Sequence, residues 1–453
     1  MTWIKPRTAI AIVVANMIGT GVFTSLGYQL VDLDSPLIVL LLWVLGGVTA
    51  LCGALTYAEL TVRLPRSGGE YNYMREIYHP SLGFVSGWIS IFVGFSAPTA
   101  LAAMTFAAYL TAALDLDISR TVLASVLVIA LTAFHCRSVE SSSGVQDVFT
   151  FLKLLLILVF CVVVGILQDN ESPKSFIPKS GDFSLILTAG FAVSLIYVNY
   201  AYTGWNVATY IAGELENPRR DIPRVLVTGT LMVMVMYILL NGVFLLAAPM
   251  DEMRGKIEIG VVVAEYTFGE TGAMVMGAVL SLLLVSTVSA MILAGPRVIQ
   301  VMGEDYALFK FFSKREASGV PLRAILTQSF ITILFIVSAT FESVLVFAGF
   351  VMGLNSMLTV MGLFVLRWRS PELPEDGKGF YQTPLYPLPP LIFCGLMTWT
   401  LVFLALNRVE EVAYAAGLIA AGFVAYWFVS RRGPNESDCH CSSNVQHQEG
   451  VEG

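Results

Sequence analysis

Charge is scarce in this sequence. Lys, Arg, Asp and Glu together make up 13% of 453 residues. No basic stripe runs along any segment, which argues against a nucleic-acid-binding surface. Cysteine is sparse as well. The six residues Cys52, Cys136, Cys161, Cys394, Cys439 and Cys441 are scattered, and four lie in or beside apolar runs, where a thiol behaves as a small hydrophobe. No disulfide framework follows. Long polar connections are missing, so no water-soluble domain fits between the apolar runs. The alternation of apolar and polar residues that marks barrel strands is absent. No Ser/His/Asp or paired-carboxylate arrangement stands on identifiable facing segments, so the sequence offers no support for catalysis. No cofactor is expected.

What the chain has instead is apolar length. Hydrophobic residues make up 56% of it, far more than a soluble core of this size needs. The runs are continuous and reach the roughly 20 helical residues that cross a bilayer. They predict an all-α polytopic membrane protein with twelve spans: 8–30, 37–62, 82–113, 121–136, 147–168, 184–213, 222–249, 273–303, 322–340, 343–366, 386–406 and 410–430. Lys5 and Arg7 ahead of the first run imitate a signal peptide. The run is too long for one and no small-residue cleavage site follows, so it reads as the first span. With a cytoplasmic N-terminus, all but six of the 26 Lys and Arg (Arg120, Lys174, Lys179, Arg254, Lys256 and Arg408) fall on the inner side. The positive-inside rule then puts both termini inside. The polar segment 434–453 reads as a disordered cytoplasmic tail. Within it, "DCHC" at 438–441 with His447 beyond has the residue types of a soft-metal site, but chance cysteines in a tail are the favoured reading and no metal is expected.

Two spans differ from the others. The first holds Gly19-Thr20-Gly21 within "ANMIGTGVF", and the sixth holds Ala201-Tyr202-Thr203-Gly204-Trp205-Asn206. Each is followed by four more regular spans. A glycine-interrupted helix at corresponding places in two five-span halves marks an inverted-repeat transporter. The halves are 8–168 and 184–366, with 386–430 outside them, all within one domain, 1–433. Glycine also serves close helix packing, the favoured role for Gly46, Gly47 and Gly53. At the breaks a different chemistry is available. The half-helix restarting after Thr20 offers free N–H groups and a positive dipole end to an anion. The half-helix ending near Tyr200 offers carbonyls to an ammonium group. Converging opposite ends make a receptor for a zwitterion, and a free amino acid is the obvious one.

The stretches "IGTGVF" at 18–23, "PRSGGEYNYMREIYHPSLGFVSGW" at 65–88, "YAYTGWNVATYIAGELENPRRDIPR" at 200–224, "AGPRVIQVMGEDYALFKFF" at 294–312 and "YPLPP" at 386–390 carry a resemblance. Taken together and in order, they resemble the amino acid-polyamine-organocation superfamily of transporters over about residues 4–432. The resemblance implies a LeuT-type fold, with five-plus-five inverted repeats and two extra helices, and transport of amino acids by alternating access. By position, Ile18, Gly19, Thr20 and Gly21 would hold the substrate carboxylate. Tyr200, Ala201, Tyr202, Thr203 and Gly204 would take the amino group, with Tyr200 as an aromatic gate. Thr203 stands where many relatives carry a smaller residue, which favours small or medium substrates. No Asp or Glu occupies the central part of the first, third, sixth, eighth or tenth span, and Glu59 and Glu214 read as cytoplasmic-edge residues. This favours neutral substrates over polyamines or other organic cations.

Lys153 has two readings. It snorkels toward the membrane surface, or its ammonium replaces a coupling cation between the first, fifth and eighth spans, as the resemblance implies. The second reading makes transport sodium-independent, with exchange and proton symport both open and the proton as a candidate partner. Ser286, Thr287 and Ser289 are either sodium ligands or, as favoured, interhelical hydrogen-bonding groups. The expected setting is the plasma (cell inner) membrane, with the lipid bilayer and a small amino acid as partners. A non-transporting amino acid sensor would show the same site. No cysteine has an obvious place in the second extracellular loop, and neither oligomeric state nor a heavy-chain partner, of the kind some animal relatives use, is marked in the sequence.

Overall fold

The structure, a computed structural model, describes residues 5–65, 68–136, 143–167, 176–210, 212, 215–306, 309–313, 321–370 and 381–431. The segment 434–453, with its Cys-His-Cys stretch, lies outside them. Every regular element among the described residues is helical. The first part of the chain forms α1 (Pro6–Met17), α2 (Gly21–Asp32), α3 (Pro36–Arg63), α4 (Gly69–Ile77), α5 (Pro80–Ile89), α6 (Ser96–Leu114), α7 (Arg120–His135) and α8 (Ser143–Leu167). The middle forms α9 (Ala189–Ala201), α10 (Pro218–Ala247), the short α11 (Met250–Met253), α12 (Ile259–Asp305) and the short α13 (Lys310–Ser313). The rest forms α14 (Leu322–Ser338), α15 (Phe341–Arg369), α16 (Leu388–Asn407) and α17 (Val409–Ser430).

Proline opens α1, α3, α5 and α10, where its missing N–H costs nothing and its fixed φ suits the first turn. Thr188 and Thr340 cap α9 and α15 by accepting hydrogen bonds from Phe191 N and Ser343 N, satisfying amides that a helix start leaves open. Among the described residues, eight helical segments are long and apolar enough to cross a membrane, and four shorter apolar helices accompany them: Arg120–His135, Phe151–Leu167, Ala189–Ala201 and Leu322–Ser338. Large apolar side chains such as Val126, Phe151, Leu158 and Ile166 on α7 and α8 are exposed. In water such a patch would be a liability; in hydrocarbon it is the natural outer surface. The chain is a multi-pass membrane protein.

Element boundaries differ from the sequence reading in three places. The predicted span 82–113 begins at Pro80, and its α-helices are joined by a π-helical segment, Ser90–Phe95, where the Ser96 hydroxyl donates to the Ile91 carbonyl at 3.1 Å. The segment before residue 273, read as a connection, is helical from Ile259. Gly269, at φ 73° and ψ −173°, interrupts α12 there, a conformation that only glycine adopts cheaply. The connection after Arg63 is not a plain surface loop. It carries α4, most of whose residues are buried.

The core is organised around close helix pairs. α1 lies along α10, α2 along α9, α3 along α10 and α6 along α12. Gly46, Gly47 and Gly53 are packing glycines. A Cβ on Gly46 would meet Val198 Cγ1 at 2.4 Å, one on Gly47 Met234 Cγ at 2.5 Å, and one on Gly53 the Trp205 ring at 2.8 Å. Gly46→Val is therefore expected to overpack the contact between α3 and α9, costing about 1–3 kcal/mol. A lowered unfolding temperature of the purified protein in detergent is the measurement that checks it.

Candidate functional site

The first break is short. α1 stops at Met17, and Ile18, at φ −77° and ψ 79°, turns the chain out of the helix. Gly19 N folds back onto Met17 O at 2.8 Å, and the Thr20 carbonyl accepts from Phe23 N at 3.0 Å and from the Thr24 hydroxyl at 3.1 Å. α2 then presents its opening amides, which no helix satisfies internally. A Cβ on Gly19 would meet nothing nearer than Met17 O at 4.0 Å, so packing does not demand glycine there. Gly21 is the opposite case. A Cβ on it would lie 2.5 Å from Ala201 Cα. Glycine at this position lets the start of α2 touch the end of α9.

The second break follows Ala201. Thr203 donates to the Tyr200 carbonyl twice, from its amide at 2.9 Å and its hydroxyl at 2.7 Å. Gly204, at φ 99°, starts a 3-10 turn over Trp205–Thr209. Its carbonyl accepts from Asn16 Nδ2 at 3.4 Å, and a Cβ there would strike Asn16 Nδ2 at 2.6 Å. The two breaks thus meet across α1 and α9.

Tyr237 of α10 ties them further. Its buried hydroxyl lies 2.6 Å from Met17 O and 3.1 Å from Ala201 O. A hydroxyl has one proton to give, so it serves one carbonyl at a time and stands ready for the other. Each α-helix end at the breaks therefore keeps a carbonyl directed at a single shared donor.

The sequence-named residues distribute as follows. Gly21 and Ala201 are in contact, and the Tyr200 hydroxyl sits beside Thr20. Ile18 and Gly19 line a small pocket that also holds Lys153 and Thr287. Tyr200, Tyr202 and Thr203 line another, walled by α3, α15 and α16. The Tyr202 side chain points away from the α2 contact: it donates to Trp43 O at 3.0 Å and packs on Trp43 and Tyr237. Lys153 is only 8% exposed. Its Nζ donates to Thr287 Oγ1 at 2.6 Å, so the ammonium turns inward to α12. Ser289 bonds His135 Nε2 at 2.8 Å. Two of the three eighth-span hydroxyls thus have interhelical partners.

The sequence reading missed Glu70. It stands on α4, in a connection, yet it is buried and accepts hydrogen bonds from Tyr57 Oη at 2.6 Å, Ser356 Oγ at 3.0 Å, Asn206 Nδ2 at 3.1 Å and Asn355 Nδ2. A carboxylate supplied by a connection therefore lies next to the segment after the second break. The signal that marks it is the glycine pair ahead of it. Gly68 and Gly69 have φ of 129° and 53°, and a Cβ on Gly69 would strike the Tyr210 ring at 2.7 Å. Those glycines turn α4 into the protein instead of along its surface. Glu59, read as an edge residue, is fully buried, between Arg63 at 2.9 Å and Arg367 at 2.6 Å, with Thr383 N donating to it at 2.8 Å. On the opposite face, Glu342 accepts from Arg408 and from the Tyr197 hydroxyl at 2.8 Å, while Tyr28 stacks on Phe341.

Comparison with known proteins agrees with this architecture. A family model described as amino acid permease matches residues 4–429. The human large neutral amino acids transporter small subunit 2 is 28% identical over 434 residues, covering 93% of this chain and 79% of its own. The human b(0,+)-type amino acid transporter 1 is 27% identical over 439 residues, covering 93% and 86%. The mouse Asc-type amino acid transporter 1 is 26% identical over 421 residues, covering 91% and 78%. All three are named as amino acid transporters. The chain belongs to the amino acid permease family, within the amino acid-polyamine-organocation superfamily of membrane transporters.

Proposed function

We propose that the protein is a sodium-independent secondary transporter of small or medium neutral amino acids. It has twelve spans in the LeuT-type arrangement of two inverted repeats and two extra helices, sits in the plasma membrane with both termini in the cytoplasm, and works by alternating access as an exchanger or proton symporter. The observation that carries this reading is the meeting of the two helix breaks, with Gly21 against Ala201 and Tyr237 between Met17 O and Ala201 O. Irregular backbone at membrane depth is tolerated where it lines a cavity or is buried in protein. Here the positive end of α2 and the carbonyl end of α9 lie together, which suits the two charges of an amino acid.

The relatives' names support the substrate class, one being named for large neutral amino acids. Thr203 on the pocket wall supports the smaller end of that class. The bond between Lys153 and Thr287 beside Ile18 and Gly19 supports sodium independence, because the ammonium already supplies a positive charge there. The substrate carboxylate meets the amides around Gly19–Gly21, and its ammonium meets the carbonyls at the end of α9. Tyr200, next to Thr20, closes over it.

Proteoliposomes holding purified protein are expected to take up labelled neutral amino acids in sodium-free buffer. Either internal unlabelled amino acid or an acid-outside gradient will accelerate the uptake, and the one that does identifies the coupling. Binding of substrate by protein that fails to move it under both conditions identifies a sensor. Gly19→Leu is expected to insert normally and lose binding, because its side chain fills the pocket beside Lys153. Normal uptake by this variant would sink the carboxylate assignment. Tyr237→Phe removes a donor shared by two buried carbonyls, a cost of about 1–3 kcal/mol, and is expected to slow uptake at unchanged surface expression. Lys153→Ala is expected to alter the pH dependence or the exchange rate; if both stay as in the parent, the lysine has no coupling role.

A further inference from the structure

Glu70 differs from the other buried glutamate of this region. Glu59 is neutralised by Arg63 and Arg367. Glu70 accepts from four neutral donors, Tyr57, Asn206, Asn355 and Ser356. Among the described residues no Lys, Arg or His forms an ion pair with it. An acceptor-only carboxylate matched by four donors is the hydrogen-bonding pattern of the ionised form. Two of the donors adjoin the site: Asn206 follows the second break, and Ser356 lines the pocket that holds Tyr200 and Thr203. Both spend a proton on Glu70. The Ser356 oxygen therefore keeps only acceptor capacity for the pocket.

The charge lies beneath the same break at which α9 ends, and that helix end carries the negative pole of its dipole. The two negative contributions add. We propose that Glu70 is a positioning residue for substrate recognition. Its charge, passed on through Asn206 and Ser356, gives the pocket a negative potential that holds the substrate ammonium and keeps acidic side chains out. This rests on the amino acid transport reading and deepens it by naming what discriminates for the amino group from outside the spans.

The titratable groups around Glu70 are the phenols of Tyr57 on α3, Tyr210 beyond the 3-10 turn and Tyr73 on α4 itself; α15 contributes the neutral Asn355 and Ser356. Phenols ordinarily titrate near pH 10. Burial pushes the Glu70 carboxyl above the ordinary carboxylate range, while its hydrogen bonds pull the other way. Mild acid therefore acts on Glu70 alone among these groups, because the phenols are already protonated below about pH 10.

The experiment measures inhibition of labelled leucine uptake by two pairs of unlabelled probes, leucine against its 2-hydroxy acid and glutamine against glutamate. It compares the parent protein, Glu70→Gln and Glu70→Asp. The parent prefers the amine and the amide. Glu70→Gln is expected to cut both preferences roughly tenfold or more, as loss of a nearby charge in a low-dielectric site requires, while Glu70→Asp retains most of them. Unchanged preferences in Glu70→Gln overturn the proposal. If Glu70→Gln fails to insert, Ser356→Ala is measured in its place; both preferences are expected to fall if the charge reaches the pocket through that hydroxyl, and unchanged preferences overturn the proposal. Absence of leucine uptake and binding by the parent is a different failure, that of the transport reading itself.

Discussion

Hydrocarbon offers a backbone amide or carbonyl no partner, so every break in a membrane helix must be answered by something else in the protein. This protein meets that demand with very few groups. Asn16 serves Gly204 O, Thr203 serves Tyr200 O, and Tyr237 serves Met17 O and Ala201 O in turn. The packing around these bonds follows from them. Gly21 must be glycine because the start of α2 lies directly against Ala201, one of the two helix ends that the tyrosine serves. α10 must lie beside α1 and α3 to deliver that tyrosine. A carbonyl oxygen carries two lone pairs, so a single hydrogen bond does not exhaust it.

Much of this was legible in the sequence, for identifiable reasons. The apolar runs announced helices because a spanning segment has a fixed minimum length. Both breaks announced themselves because glycine at the centre of such a run has few explanations. Lys153 stood out because a charge among leucines is rare. Gly46, Gly47 and Gly53 were legible as packing residues in the same way, from small residues on a long apolar helix.

What escaped the sequence reading depends on contacts between distant segments. Tyr237 is one aromatic residue in an apolar run, and nothing local says that its hydroxyl joins Met17 to Ala201. Glu70 sits in what reads as a polar connection, and its burial follows from the way Gly68 and Gly69 bend α4 inward beneath the second break. The start of α12 escaped because a helix that surrounds Gly269 at positive φ looks like a turn. In each case the deciding fact is where a side chain ends up after folding, which neither periodicity nor composition encodes.

The clasp of Glu342, Tyr197 and Arg408 has a further consequence. Glu342 lies in the first turn of α15, and Arg408 stands at the junction of α16 and α17. At the far end of the same helix, Arg367 in its last turn is held by Glu59, which Thr383 N also serves. α15 is thus pinned by charge at both ends. A helix held in this way acts as a lever, because freeing one end lets it pivot on the other.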